Sequence, residues 1–442
     1  MSYELSVPKV LRSLGRVSLL LGVCSFSANA HASANNEVEV LSLATAIERT
    51  MQQHPSLQVY SLRQSVLDAD SYTAALSPGY EIGFEVENVA GTGEFSGIDG
   101  AEFSVSLSSV IEMGDKVAAR GAVVNEKRAL LAAEQKIAAL AVLGELTRRY
   151  IDVMAAQAQL ELADESVALA NKTLETVSKR AAAGVMRDAD INRAQAAVYR
   201  AQLTQQNQQQ QHNYSLIALA MLWGDSHAEF QKVEGNLLQF SDDVAFNTLF
   251  EKVKYSPAIM AFASQSQLRE AELRYAKTRS SADINWSVGV KQHQSSDDVA
   301  LSAGFSIPLF NGDRNQGAVD AAVAAKAEVS LNRDIALLAL RNELYRAYSS
   351  RKLAIAQVQQ LQQQIIPTLA AAMADSELAY EQGNYSYLAY LSASEELLFA
   401  KRAMLDAATS ALRFGVDIEQ LIAEPLPATQ HASSSFSQGS AQ

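Results

Sequence analysis

Three carboxylates, Glu81, Glu85 and Glu87, share one phase of a short segment whose other phase is Tyr80, Ile82, Phe84 and Val86. Lys291 sits on the polar phase of a second such segment, in which Ile284, Trp286, Val288 and Val290 alternate with Asn285, Ser287 and Gly289. Period-two alternation gives each segment one polar and one apolar face. A row of carboxylates on one face concentrates cations. Two further clusters follow glycines: Arg187, Asp188 and Asp190 after Gly184, and Tyr385, Ser386 and Tyr387 after Gly383. Carboxylates and phenols can form charge-assisted hydrogen bonds between neighbouring segments, strong enough to hold them and weak enough to release. Catalysis is not supported. His31, His54, His212, His227, His293 and His431 are scattered, with no pair at helical i, i+4 spacing, so no metal-ligand set emerges. Gly91, Gly93 and Gly97 lie between two strand-like segments and miss the spacing of a phosphate loop. No catalytic, cofactor or metal site is expected.

The elements that must position these groups are strands and long helices. Phe103, Val105 and Leu107 alternate with Glu102, Ser104, Ser106 and Ser108, and Val299, Leu301, Ala303, Phe305 and Ile307 alternate with mostly small or polar residues. Strands are expected at about 79–89, 101–111, 283–292 and 298–308. Each is about 9–11 residues long, enough to cross a bilayer when tilted in a barrel. A charge turned toward lipid at mid-depth would cost about 2–4 kcal/mol, so Glu81, Glu85, Glu87 and Lys291 are placed toward a water-filled lumen. Four strands cannot close a barrel, and an open edge in lipid leaves backbone groups unpaired. Two chains would give eight strands and a filled interior; three give 12 and a passage.

Residues 1–30 read as a secretory signal: Lys9, Arg12 and Arg16, then an apolar run from Val17 to Val23, then the small-x-small site Ala28-Asn29-Ala30. Cys24 follows Val23, where a lipidation motif needs a small residue, so cleavage after Ala30 is expected and leaves no cysteine. Cleavage removes three basic residues and one acidic one, moving the formal charge from −13 to −15. That balance argues against nucleic acid and suits a cation-friendly conduit.

The chain repeats itself. Prolines 55 and 257, turn glycines 114 and 312, and glycines 184 and 383 recur at offsets of 202, 198 and 199 residues. The expected order is a first repeat over 31–223, an inter-repeat linker or equatorial segment over 224–245, a second repeat over 246–424, and a disordered Ser- and Gln-rich tail over 425–442. Proline-free helix is expected over about 115–182, where Leu146, Val153, Leu160, Val167 and Leu174 mark a heptad line. Its counterpart, about 313–382, carries Leu337, Leu344, Val358 and Ile365, interrupted by Arg351 and broken near Pro367. Flanking helices at about 42–76 and 188–223 together match one long helix, which suggests two short helices stacked beside it.

In this ordered duplication, residues 41–424 resemble the TolC-type outer-membrane efflux factors. The resemblance implies a mainly α fold with a small β-barrel share: a homotrimer with four transmembrane strands per chain in a 12-stranded barrel, and antiparallel coiled-coil helices forming a periplasmic tube. It also implies a passive exit duct in the outer-membrane lipid, working with a periplasmic adaptor protein and an inner-membrane, proton-driven efflux pump. Ile111-Glu112-Met113-Gly114-Asp115-Lys116 and Gly383-Asn384-Tyr385-Ser386-Tyr387-Leu388 are most similar to the CzcC-like heavy-metal branch, although that branch usually has a second glycine where Asp115 stands. Heavy-metal cations are therefore the expected substrate. Drug or small-organic efflux, or type I secretion, is the alternative, and a soluble periplasmic coiled-coil scaffold is a third reading. The aspartate ring that often closes the tunnel in this family would fall at Ala389 and Ser392, leaving Asp190 as the nearest acidic residue. The resemblance places gate and adaptor contacts at Gly184, Arg187, Asp188, Asp190, Gly383, Tyr385, Ser386 and Tyr387.

Overall fold

The computed structural model describes residues 40–89, 91–182 and 188–427. The element order runs β1 (Val40–Leu41), α1 (Leu43–Gln53), α2 (Pro55–Ala75), β2 (Glu81–Glu87), β3 (Glu102–Ile111), α3 (Lys116–Ala182) and α4 (Asp188–Ala220). After β4 (Lys232–Val233) come α5 (Phe246–Val253), α6 (Pro257–Thr278), β5 (Ile284–His293), β6 (Asp298–Ser306), α7 (Asn311–Gln360), α8 (Ile366–Glu381) and α9 (Tyr387–Ile422). Pro55 and Pro257 each occupy the first helical position, where the missing N–H costs nothing and the fixed φ starts a new helix. The α3 helix is unbroken over 67 residues, or about 100 Å at about 1.5 Å per residue. Leu146 and Val153 on its heptad line are buried, and Leu160, Val167 and Leu174 are half-buried.

One antiparallel sheet, ordered β2-β3-β5-β6, joins the two halves of the chain. Its central pairing, β3 with β5, runs from Glu102 opposite His293 to Ile111 opposite Ile284. The outer strands β2 and β6 are each bonded on one side only.

The strands hand over to helices through a tightly specified junction. Gly114 and Asp115 both adopt positive φ, at 76° and 58°. A side chain at Gly114 would collide with Ser281. The left-handed conformation at Asp115 is one that glycine takes freely and aspartate tolerates, so it fits a position where glycine is common. The next residue, Lys116, is buried and donates from Nζ to Asp283 Oδ1 at 2.7 Å and to the Ser281 carbonyl at 2.9 Å. The same Asp283 oxygen accepts the Met113 N–H at 3.0 Å. Burial alone would raise the Asp283 carboxyl, but the Lys116 ammonium and Met113 N–H outweigh it and hold the group below its ordinary value. Beside this pair, Arg120 grips Glu112 at 2.5 and 3.0 Å and donates to the Leu76 carbonyl at the end of α2.

The inter-repeat segment 224–245 is packed into the core. Phe230, Val233 and Leu237 are buried, and β4 pairs in parallel with β1. Tyr150 of α3 locks this pairing by donating toward the Leu41 and Glu234 carbonyls at 2.9 and 2.7 Å. Gly and Asp residues mark the segment as irregular backbone, which differs from being unpacked. Arg351 likewise interrupts the heptad line only in residue type. It lies in the core between Leu344 and Val358, bonded to Ser241.

The expected break at Pro367 takes the form of a π-turn at Leu361–Ile365, between α7 and α8. The wider turn makes room for the proline ring and carries one extra residue. The line of buried Leu344, Arg351 and Val358 and half-buried Ile365 therefore resumes at half-buried Met373 and buried Tyr380, one position later than a strict heptad would place it.

Two outcomes follow. Asp283→Ala leaves Lys116 buried without its counter-charge and should destabilise the protein by about 3 kcal/mol in thermal unfolding near neutral pH. Because the folded carboxyl titrates below 3.8, its contribution is complete above that pH and fades as the pH falls through the lowered folded value, so the two proteins should converge in acid. An undiminished difference at low pH would contradict the charge account. Deleting Gln363 together with Pro367→Ala removes the extra residue and should shift the melting temperature by less than about 3 °C. Deleting Glu161 from the uninterrupted α3 rotates all that follows by about 100° and should cost far more. Equal losses would refute the register argument.

Candidate functional site

The sheet brings the strand carboxylates and Lys291 together. Glu87, Glu102, His293 and Asp298 stand side by side across the four strands, and Lys291 lies opposite Ser104 on the same face. Lys291 Nζ donates to Glu87 Oε2 at 2.5 Å and to Glu102 Oε2 at 2.8 Å. Glu102 Oε1 lies 3.4 Å from His293 Nδ1 and accepts from Asn88 at 2.9 Å. Glu81 and Glu85 stand farther along β2, exposed, opposite Ser108 and Ser104. One end of the polar face is thus an ion-paired cluster and the rest is lined by free carboxylates, hydroxyls and glycines. Glu102 and His293 were not foreseen as site residues. Their signal was the register between the two repeats, which no local pattern carries.

The opposite face is apolar and uncovered. Ile82, Phe84, Leu301 and Phe305 are 80, 68, 84 and 79 % exposed, far beyond what a water-facing sheet carries. Among the described residues no helix is long and apolar enough to cross a membrane, and no group of three or more His, Cys, Asp or Glu side chains could hold a metal ion.

At the far end of the helices, Gly383 closes α8 with φ 83°. Its N–H reaches the Tyr380 carbonyl at 3.0 Å and the Asn384 N–H reaches the Ala379 carbonyl at 2.9 Å, the two bonds of a Schellman cap. Ser386 then caps α9 by accepting the Ala389 N–H at 3.2 Å. The Arg180 guanidinium stacks 4.6 Å over the Tyr380 ring and donates to the Tyr380 carbonyl. Tyr380 and Tyr390 stack nearly parallel at 5.6 Å, with Tyr387 packed against them at 6.4 Å from Tyr380. Tyr387, expected at the gate, is only 4 % exposed and belongs to the chain's own core. Burial raises its phenol above the ordinary range. Tyr385 is 49 % exposed, and Asp188 opens α4 on the surface. Asp190 is half-buried, 3.7 Å from Arg193. Gly184 and Arg187 lie outside the described residues.

A family model for outer membrane efflux proteins matches residues 46–225 and 254–424. The chain belongs to the outer membrane efflux protein family. This efflux protein is 25 % identical over 323 residues to the cobalt-zinc-cadmium resistance protein CzcC of Cupriavidus metallidurans, across 72 % of this chain and 76 % of that one. It is 26 % identical over 358 residues to the nickel-cobalt-cadmium resistance protein NccC of Alcaligenes xylosoxydans xylosoxydans, across 80 % and 77 %. Its fold matches a crystal structure of CusC with a TM-score of 0.70 at 16 % identity, over 86 % of this chain and 91 % of that one. The family places the efflux protein in the outer membrane, and its fold is that of the TolC-like channels.

Proposed function

We propose that three copies of this efflux protein form the passive outer-membrane exit duct of a tripartite system for heavy-metal cations. The observation that carries the reading is the four-stranded sheet with one exposed apolar face, one polar face and two unpaired edges. Joining β6 of one copy to β2 of the next pairs every edge and turns the apolar face to lipid, with 12 strands in a closed barrel. Glu81, Glu85, Glu87 and Lys291 then line the lumen, together with Glu102. Lys291 offsets the paired acids near one end, while Glu81 and Glu85 leave a net negative ring that favours cations. The helices extend as a periplasmic tube toward an adaptor and an inner-membrane pump, which supplies the energy. Substrate class rests on the acidic balance of the chain and its likeness to CzcC and NccC, both named for metal resistance.

Gate and adaptor contacts belong at the helix ends around Asp188, Asp190, Gly383, Tyr385 and Ser386. With Tyr387 packed inward, Tyr385 is the phenol left to meet an Asp190 carboxylate of a neighbouring copy.

Deletion of the gene should lower tolerance to zinc, cobalt or cadmium, with restoration by the intact gene. Unchanged metal tolerance alongside lost drug tolerance would transfer the function to organic substrates. For the gate, Asp190→Ala combined with Tyr385→Phe should raise single-channel conductance in planar bilayers, and an unchanged conductance would put the constriction elsewhere.

A further inference from the structure

Where α3, α7 and α9 meet the segment around Asn236 and Ser241, the chain lines an open cavity of about 520 Å³. Ile151, Met154, Leu412 and Val416 form apolar walls, and the Arg351 guanidinium stands among them. Arg351 is only 6 % exposed. Its Nη2 donates to the Ser241 carbonyl at 2.6 Å and to the Ser241 hydroxyl at 2.8 Å. Among the described residues, neither Nε nor Nη1 meets an acceptor, and the Asp243 and Glu419 carboxylates act on the group through space without a direct salt bridge. Glu419 lines the same cavity, but its Oε1 is occupied by the Leu426 N–H at 2.8 Å, and burial pushes its carboxyl above the ordinary range. Gly415 faces the arginine: a β-carbon there would lie 3.6 Å from Nε, so anything larger would fill the space beside the unbonded edge.

A largely buried guanidinium with N–H groups unbonded by the described residues, its charge offset only through space by Asp243 and Glu419, is costly to keep. The heptad line on which it lies would accept leucine without that cost. Its planar fork matches a carboxylate, and a cavity of a few hundred Å³ with apolar walls and few polar groups is the usual form of a small-ligand site. We propose that this cavity binds small amphiphilic organic acids, the carboxylate on Arg351 and an apolar body against Ile151, Met154, Leu412 and Val416. The site is separate from the strands and from the helix ends. A ligand in it touches both repeats and the segment between them, so binding tightens their union.

The test is calorimetric titration of the purified, detergent-solubilised protein with 4-phenylbutyrate, using 4-phenylbutyramide as the uncharged control and empty micelles as the blank. The acid should bind and raise the melting temperature, with the amide at least about tenfold weaker. Arg351→Met should abolish binding of the acid. Because that change also removes the bonds to Ser241, Gly415→Val supplies an independent arm: it keeps the arginine, fills the space beside Nε and should weaken the acid by about tenfold or more. Equal binding of acid and amide, undiminished binding to Gly415→Val, or no binding to the unmodified protein would overturn the proposal. The last result is also what a carboxylate from a second copy, seated in the cavity, would produce.

Discussion

The contact between Lys116 and Asp283 is the constraint on which the rest of the structure depends. A strand places side chains with period two and a helix with period 3.6, so a face continuous in one is lost in the other unless the chain turns through a defined angle between them. Gly114 and Asp115 make that turn with two consecutive positive φ values, and the salt bridge then fixes its direction. Its partners come from different repeats: the lysine opens the long helix of the first, and the aspartate precedes the first strand of the second. The central β3–β5 pairing and the close approach of α3 to α6 meet at this point. The equivalent turn of the second repeat uses a neutral clamp, Asn315 donating to the Ala276 carbonyl and the Ser280 hydroxyl. A buried charge pair is more sensitive to geometry than an amide clamp. The stricter junction lies where the repeats must be aligned with each other.

Charge is distributed along the sheet to suit a conduit. A uniform carboxylate lining would hold cations as well as attract them, whereas passage requires weak, repeated binding. Lys291 binds Glu87 and Glu102 into a cluster beside the loops, and the field farther along β2 comes from Glu81 and Glu85, which face serines. Small residues occupy much of the polar face of the other strands: Ser104, Ser106, Gly289, Ser302 and Gly304 leave it open. A side chain at Gly289 would meet the Val105 carbonyl and Ser302, so the strands can lie together only with glycine there.

Much of this was legible in the residues. Alternation marked the strands, because one face of each must differ from the other, and heptads with proline and glycine punctuation marked the helices. The failures share a cause: they concern residues whose neighbours come from distant elements. Glu102 was visible as a polar strand residue, but its bond to Lys291 depends on the β3–β5 register. Arg351 looked like a break in an apolar line until Ser241, from the segment between repeats, supplied its acceptor. Tyr387 looked like a surface phenol, since a turn precedes it, yet Val177, Ala194 and Tyr380 enclose it. The segment from Gly224 to Ala245 has too few residues between breakers to show a period, although Phe230, Val233 and Leu237 state its packing plainly in hindsight.

The π-turn at Leu361–Ile365 also bears on the history of the duplication. From the start of the long helix to the distal glycine, one copy runs from Lys116 to Gly184 and the other from Asn311 to Gly383, which is four residues more. Four residues advance a regular helix by about one turn and leave every later side chain about 40° off its face. The wider turn at Leu361–Ile365 adjusts the register locally, and Tyr380 still reaches the aromatic stack with Tyr390. A difference in length has been kept local, and the two copies have been free to diverge while Val177 of one and Tyr380 of the other still share a core near the far end.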